Sequence, residues 1–295
     1  MKKMYGVVTA MTTPFDENDR VDVKGLEEQT EFLIEKEVNC LYPCGTTGEM
    51  LNMTCEEREC VAETIIRAAD GRVPVFIHVG TQTLKDTIRL AQHAHRAGAD
   101  GIGVVTPAFF GLKDRALVRY YQDVAASVPE DFPIYLYCIP QCASNDLKPE
   151  VVEEIAGTTK NVIGIKYSYA DCIRLKDYLN VNDGNFSVLF GPDRLFLPAL
   201  AMGCDGTVSG CSGPMPEHFV NIYKAFKEGN LKEAQEEQKV ACDICEILEN
   251  GADMGVFKAA LRMRGVRAGY MRRPLLDMEP AEEERLRKEL AAYLM

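Results

Sequence analysis

The segment VIGIKYS, residues 162–168, is a short apolar run rich in β-branched residues that ends at Lys166. A run of this kind is typical of a strand that is buried on both faces of a parallel sheet. Seven similar runs occur along the chain, and each is separated from the next by a longer amphipathic segment. The eight predicted strands cover residues 6–10, 40–43, 75–79, 101–105, 134–137, 162–165, 188–190 and 206–209.

The segments between these strands carry helix start signals. Asp22 and Thr83 each precede an apolar residue as N-caps, Thr54 and Glu57 form a capping-box pattern, and Pro149 suits a first helical turn. The strands recur at intervals of roughly 25 to 35 residues, as in a (β/α)8 TIM barrel of the α/β class. A doubly wound sheet is the alternative, but its G-x-G-x-x-G fingerprint is absent after the first strand.

The barrel pattern ends near Lys227, where Glu228-Gly229-Asn230 predicts a helix stop. Apolar residues at helical spacing then mark residues 231–249, 253–264 and 279–293. We therefore predict a catalytic barrel domain over residues 1–227 and a C-terminal helical extension over residues 228–295.

Composition excludes several classes of protein. Of 295 residues, 46% are hydrophobic and 26% charged, as in ordinary globular proteins. No apolar run approaches the ~20 residues that a membrane helix needs, and the first residues do not resemble a signal peptide. We therefore expect no membrane partner and a cytoplasmic location. The net charge of −12 argues against nucleic-acid binding.

The chain has 11 cysteines, an odd number, which argues against a disulfide framework. Cys242 and Cys245 form one C-x-x-C within a segment of helical pattern. Core packing is the favoured interpretation of this pair, and metal binding or redox chemistry is the alternative. With four histidines and no second C-x-x-C, the sequence gives little support to a zinc site.

Polar residues that follow predicted strands are the candidates for chemistry, because barrel enzymes react at the carboxyl ends of their strands. The loop Cys44-Gly45-Thr46-Thr47-Gly48-Glu49 follows the second strand, and its amides and hydroxyls can bind a carboxylate. An ordinary turn explains such a loop equally well.

Lys166 and Tyr137 end neighbouring predicted strands. Burial disfavours the charged ammonium, so a lysine there can attack a carbonyl and form an imine. The tyrosine can move protons in the same reaction. The alternatives are a lysine that reaches solvent and a tyrosine that only packs its ring.

Together, in this order, these segments resemble the dihydrodipicolinate synthase and N-acetylneuraminate lyase family over nearly the whole chain. The matching motifs are A-x-x-T-P-F at residues 10–15, G-T-T-G-E at 45–49, V-x-P at 105–107, Y-x-x-P at 137–140, G-x-K at 164–166 and a glycine-bounded segment at 203–206.

The resemblance implies a class I lyase in which Lys166 forms a Schiff base with pyruvate or a longer 2-oxo acid, and an aldehyde is the second reactant. Tyr137 would carry the proton, with Thr46 in its relay. No metal or organic cofactor is implied, because the protonated imine is the electrophile. The family also implies a homotetramer built as a dimer of dimers. The predicted substrate-binding residues are Thr47, Gly45, Val208, Gly191, Asp193 and Ser168.

The chain departs from the family pattern at three positions. Cys142 replaces the arginine that binds an aldehyde's carboxylate in dihydrodipicolinate synthases, and Phe109 replaces a tyrosine that reaches across the subunit interface. Asp193 fits the G-x-D-E segment of sialic acid lyases, whereas Arg194 does not. Arg194 can pair with a second substrate carboxylate or face solvent.

These departures favour an aldolase or a dehydratase, a carbon–carbon or carbon–oxygen lyase, that acts on a 2-oxo-3-deoxy sugar acid or a similar hydroxylated 2-oxo acid. Sialic acid cleavage is the next interpretation and 4-hydroxy-tetrahydrodipicolinate synthesis the third. The chain could also be a non-catalytic relative that only binds a 2-oxo acid. A metal-dependent aldolase is the last possibility, and His78 is the one histidine near a strand end that could serve it.

Overall fold

Strands and helices alternate through a computed structural model that describes residues 1–251 and 253–294. The eight strands are β1 Gly6–Ala10, β2 Cys40–Tyr42, β3 Phe76–His78, β4 Gly101–Val105, β5 Ile134–Cys138, β6 Val162–Tyr167, β7 Ser187–Phe190 and β8 Gly206–Ser209. Every predicted strand is therefore present. The largest difference is at β6, which continues two residues beyond the predicted end, so that Lys166 lies within the strand.

All neighbouring strands are parallel, in the order β2-β1-β8-β7-β6-β5-β4-β3. The two edge strands, β2 and β3, meet through a parallel bridge between Leu41 and Val75. Leu41 N donates there to Pro74 O at 3.0 Å. This bridge closes the sheet, and the predicted (β/α)8 barrel is confirmed.

Nine helices accompany the strands and three follow them in the described residues. They are α1 Val23–Glu35, α2 Cys55–Ala69, α3 Leu84–Ala97, α4 Asp114–Ala125, α5 Pro140–Ala143, α6 Pro149–Thr158, α7 Cys172–Leu179, α8 Phe196–Met202, α9 Pro216–Lys227, α10 Leu231–Ile247, α11 Met254–Met263 and α12 Pro280–Leu290. The predicted caps Asp22, Thr54 and Thr83 each accept a backbone N–H of the first helical turn. The predicted starts of α1, α2 and α3 are therefore confirmed.

Side chains alternate between the inside of the barrel and the helical layer, as the strand period of two requires. Leu136 and Ile165 pack into the large core between the strands and the helices. Tyr135, in contrast, belongs to the cluster inside the barrel. Gly164 faces the same interior, where a Cβ would lie 2.4 Å from the ring of Tyr135. Lys166, two residues further along β6, therefore also points into the barrel.

The C-terminal extension packs against the barrel through α10, which lies on α9, and through Phe257 of α11, which packs at Gly210 after β8. Asn230 accepts the N–H of Glu233 and caps α10, which agrees with the predicted break after Lys227. The division into residues 1–227 and 228–295 stays a prediction. Within the described part of the chain, no helix combines the length and the apolar character needed to cross a membrane.

Candidate active site

A cavity of about 530 Å³ opens at the carboxyl ends of the strands. Its position is the one that the topology predicts, because the loops after parallel strands meet at this end of a barrel. The cavity is lined by Ala10, Thr46, Thr47, Tyr137, Ile139, Gln141, Cys142, Lys166, Ser168, Tyr169, Ala170, Gly191, Pro192, Asp193, Val208, Gly210, Cys211, Asn250, Gly251, Met254 and Phe257.

Lys166 and Tyr137 lie side by side at the floor of this cavity. They are register partners on β6 and β5 and are 5% and 2% exposed. Lys166 Nζ lies 4.1 Å from the centroid of the Tyr137 ring and 5.1 Å from that of Tyr42. Among the described residues, no carboxylate forms an ion pair with this amine. The amine is thus held between aromatic faces and remains accessible to a ligand.

The hydroxyl of Tyr137 lies 3.3 Å from Thr46 Oγ1, within hydrogen-bond distance. Thr46 belongs to the glycine-bounded loop after β2, which Thr13 holds by donating its hydroxyl to Gly48 O at 2.8 Å. The loop turns on itself through Gly48 N and Gly45 O at 3.1 Å. Thr46 and Thr47 line the cavity, whereas Gly45 is not among its lining residues.

The buried side chains of His78 and Arg58 both contact Cys44 O at the start of this loop. His78 Nδ1 lies 2.9 Å from Cys44 O, and its Nε2 lies 3.3 Å from Val105 N, which donates to it. The backbone partners therefore assign the Nδ1–H tautomer. Burial and the nearby Arg58 guanidinium hold the pKa of His78 well below its usual range. Both ring nitrogens are engaged by the backbone, so His78 is not available as a metal ligand.

Asp193, Ser168 and Gly191 form a further part of the cavity wall. A Cβ at Gly191 would lie 2.1 Å from Ser168 Oγ, which explains the glycine. Asp193 Oδ2 accepts from Cys211 N at 3.4 Å, but its buried Oδ1 has no hydrogen-bond partner among the described residues. Burial raises the pKa of this carboxyl to about 6. One carboxylate oxygen of Asp193 is thus buried without a hydrogen-bond partner among the described residues.

The three departures from the family pattern lie in different places. Cys142 lines the cavity as a neutral thiol on α5. Arg194 points outward and pairs with Glu246 at 2.8 Å, so it contributes no charge to the cavity. Phe109 is 80% exposed and lies outside the cavity.

The C-terminal extension supplies a wall that the sequence patterns did not indicate. Asn250, Gly251, Met254 and Phe257 line the cavity from the start of α11 and the turn before it. Phe257 packs against Gly210, where a Cβ would lie 2.9 Å from the ring. Helical periodicity predicted this segment as a packed helix. Apolar residues that line a cavity have the same sequence pattern as apolar residues of the core, so the pattern could not identify a cavity wall.

Comparisons with known proteins agree with this geometry. Residues 3–293 match the model of the Dihydrodipicolinate synthetase family. The probable 2-dehydro-3-deoxy-D-pentonate aldolase YjhH of Escherichia coli K12 is 36% identical over 237 residues, 79% of this chain and 78% of the relative. The 4-hydroxy-tetrahydrodipicolinate synthase of Methanoculleus marisnigri is 32% identical over 291 residues, 98% of this chain and 99% of the relative.

Among solved structures, YagE of Escherichia coli K12 superimposes with a TM-score of 0.92 at 30% identity, over 98% of both chains. YagE is a prophage protein of the dihydrodipicolinic acid synthase family, and its crystal structure was determined in complex with pyruvate. The similarity extends over the barrel and the C-terminal extension alike.

Proposed function

Because the chain belongs to the Dihydrodipicolinate synthetase family, a family of lyases and aldolases, we propose that it binds a 2-oxo acid as an imine on Lys166. One observation carries the proposal. A buried amine lies 4.1 Å from the ring of Tyr137 at the floor of a cavity, and that tyrosine's hydroxyl lies 3.3 Å from Thr46 Oγ1. This arrangement combines a nucleophile with a proton carrier.

The first step joins the 2-oxo acid to the enzyme. The hydroxyl of Thr47 and the neighbouring amides hold the carboxylate, with the backbone at Val208 on the same side of the cavity. The amine of Lys166 adds to C2, and the carbinolamine then loses water to give a protonated imine. Tyr137 donates and accepts the protons of these steps, with Thr46 as the next member of the relay.

The second step breaks a carbon–carbon bond. Tyr137 accepts the proton of the C4 hydroxyl, the C3–C4 bond breaks, and its electron pair moves into the imine to form an enamine. The aldehyde fragment leaves. C3 is then protonated, and water hydrolyses the imine to release pyruvate and the free amine. The reverse sequence is the aldol addition.

The cavity wall favours a hydroxylated substrate tail. The free Oδ1 of Asp193 can accept a hydroxyl hydrogen, while Ser168 lines the same wall. No cation stands at Cys142 to bind an aldehyde's carboxylate, and Arg194 is engaged outside the cavity with Glu246. A charge-assisted hydrogen bond of that kind contributes roughly 1.5 to 3 kcal/mol, so its loss disfavours a carboxylated aldehyde. A 2-oxo-3-deoxy sugar acid is therefore the proposed substrate class, ahead of sialic acid and of the dipicolinate precursor.

Specific contacts argue against a non-catalytic protein and against a metal-dependent aldolase. A protein that only binds a 2-oxo acid has no need of a tyrosine that contacts Lys166 with its ring and Thr46 with its hydroxyl. His78, the one histidine considered for a metal-dependent aldolase, is engaged through both ring nitrogens by Cys44 O and Val105 N.

A substrate panel tests the proposed class. We expect pyruvate release from 2-oxo-3-deoxy sugar acids to exceed that from sialic acid and 4-hydroxy-2-oxoglutarate, measured as kcat/KM with a coupled assay. Condensation of pyruvate with the dipicolinate precursor aldehyde should be slower still. A preference for that aldehyde would overturn the proposed substrate class, which is argued from Asp193 and Cys142.

We also propose that the protein assembles as a homotetramer, a dimer of dimers. Phe109 and Phe110 are 80% and 72% exposed, and their loop is fixed by Asn145, whose amide donates to Pro107 O and Phe110 O. Ordered exposed aromatic residues of this kind suit a contact with a second copy. Light scattering should give the mass of four chains, and Phe109→Asp should lower it. A wild-type protein that scatters as a single chain would contradict the proposal.

A further inference from the structure

A cluster of ligand-type side chains lies in the wall of the active-site cavity, apart from the lysine and tyrosine. It consists of Asp193, Cys211 and Cys245, whose carboxylate oxygen and two sulfur atoms all lie within 4.8 Å of one another. Cys211 and Cys245 are 2% and 1% exposed. The proposed reaction uses neither thiol.

The carboxylate of Asp193 is incompletely satisfied on the side of this cluster. Its Oδ1 is buried without a hydrogen-bond partner among the described residues, and its Oδ2 accepts from Cys211 N at 3.4 Å, with the Ser209 hydroxyl and the Cys211 thiol close to the carboxylate. A buried carboxylate oxygen without a partner is costly. The cluster therefore has two sulfur atoms and an acidic group that a bound cation would satisfy.

Three different elements hold the cluster, which fixes its shape. Asp193 begins the turn after β7, Cys211 follows β8, and Cys245 lies on α10. Gln238, also on α10, donates to Asp193 O at 3.3 Å and accepts from Leu197 N at 2.7 Å. The turn that carries Asp193 is thereby fastened to the helix that carries Cys245.

Cys242, the other cysteine of the C-x-x-C, does not take part. Its Sγ lies 3.7 Å from Arg194 O and 3.7 Å from Gln238 Nε2. The spatial partner of Cys245 is thus Cys211, 34 residues away along the chain by their numbers. Cys242 gives a matched control on the same helix.

We propose that Asp193, Cys211 and Cys245 bind a soft divalent cation, with Zn²⁺ as the representative ion. Thiolate sulfur and carboxylate oxygen are ligands that zinc prefers. In a tetrahedral site two sulfur ligands lie about 3.8 Å apart, given Zn–S bonds of about 2.3 Å, so closure requires shifts of at most about 1 Å. Each thiol loses its proton on binding, and the cavity leaves a fourth position open to water.

Disulfide formation between the same two cysteines is the competing chemistry. The contact with Cys245, together with burial and the nearby Asp193, raises the pKa of the Cys211 thiol well above its usual range. The thiolate is needed for reaction with an oxidant and for cation binding alike. A cation, in contrast, is attracted by the carboxylate that suppresses the thiolate.

The consequence for catalysis rests on the proposed function. If Asp193 binds the hydroxylated tail of the substrate, the cation and that tail compete for the same oxygen. Zinc should then inhibit cleavage of a sugar acid without blocking attachment of pyruvate to Lys166, which does not need Asp193. The site would act as an inhibitory cation sensor of the enzyme.

Zinc titration of the full-length protein tests the site independently of activity. Protein freed of metal and kept in a phosphine reductant is titrated with Zn²⁺ against a chromophoric chelator. We expect one tight zinc per chain in the wild type and in Cys242→Ser, and at least about 10-fold weaker binding in Cys245→Ser. Substitution of Co²⁺ in the wild type should give the near-ultraviolet thiolate-to-cobalt absorption.

Two results would overturn the proposal: no cobalt–thiolate band in the wild type, or equal zinc affinity in the wild type and Cys245→Ser. The cobalt spectrum needs no variant, so it decides the question even if Cys245→Ser is unstable. Zinc bound by a protein that cleaves no sugar acid would support the site while refuting the proposed function. Inhibition of cleavage that persists in Cys245→Ser would refute the regulatory role.

Discussion

Lys166→Arg is expected to lower kcat by at least about 10⁴-fold and to abolish the covalent adduct that pyruvate and borohydride form with the wild type. Arginine keeps a cation near the rings of Tyr137 and Tyr42, but a guanidinium does not lose its proton and forms no imine. Intact-protein mass spectrometry after reduction measures the adduct, and peptide mapping locates it. An adduct that persists in Lys166→Arg would contradict the proposed nucleophile.

Tyr137→Phe is the matched control for this experiment. The ring that packs beside Lys166 remains, and only the hydroxyl near Thr46 is removed. We expect the pyruvate adduct to form, more slowly, while kcat for cleavage falls by about 10² to 10⁴, the usual contribution of a positioned proton carrier. Unchanged cleavage in this variant would remove Tyr137 from the mechanism.

The barrel could be predicted from the sequence because its signal is local. Each strand is an apolar run that is buried on both faces. Each of the first three helices begins directly after an N-cap residue that can be recognised in the sequence. The position of Lys166 beside Tyr137 could be predicted for the same reason, because both residues lie at the ends of apolar runs that form neighbouring strands. The end of β6 was predicted too early because a lysine and a tyrosine lower the apolar character of a strand that continues through them.

The rest of the site depends on contacts between distant segments, which periodicity does not report. Phe257 meets Gly210 across the junction between the extension and the barrel, and both look like ordinary structural residues in the sequence. The sequence favoured core packing for Cys242 and Cys245 and kept a joint metal or redox role as the alternative, whereas the fold brings Cys245 to Cys211 and places Cys242 near Arg194 O. Adjacency in the sequence was here a poor guide to adjacency in space.

Lys258→Met is expected to lower the free energy of unfolding by about 3 to 5 kcal/mol, or the Tm by roughly 10 °C. Lys258 and Glu49 are fully buried, and their ion pair measures 2.6 Å. Lys258 also donates to Tyr270 O at 2.6 Å, and Glu49 Oε2 accepts from Arg272 N at 3.1 Å. Burial lowers the pKa of the Lys258 amine, an effect that Glu49 opposes. Removing the amine leaves a buried carboxylate without its cation.

This pair also connects the extension to the loop after β2, because Glu49 ends the G-T-T-G-E segment that carries Thr47. Thr47 is the residue proposed to bind the substrate carboxylate. We therefore expect Lys258→Met to raise the KM for pyruvate while the adduct at Lys166 still forms at saturating pyruvate.

Two variants separate this effect from a general loss of charge. Lys160→Met removes a lysine from an ion pair of similar length, 2.8 Å to Glu130, but one whose side chains are 74% and 72% exposed, so little change is expected. Combining Lys258→Met with Glu49→Gln removes both charges and should recover part of the stability, because the uncompensated buried carboxylate is gone. Thermal unfolding followed by circular dichroism measures all three proteins. Equal Tm values for Lys258→Met and Lys160→Met would mean that the buried pair does not fasten the extension to the barrel.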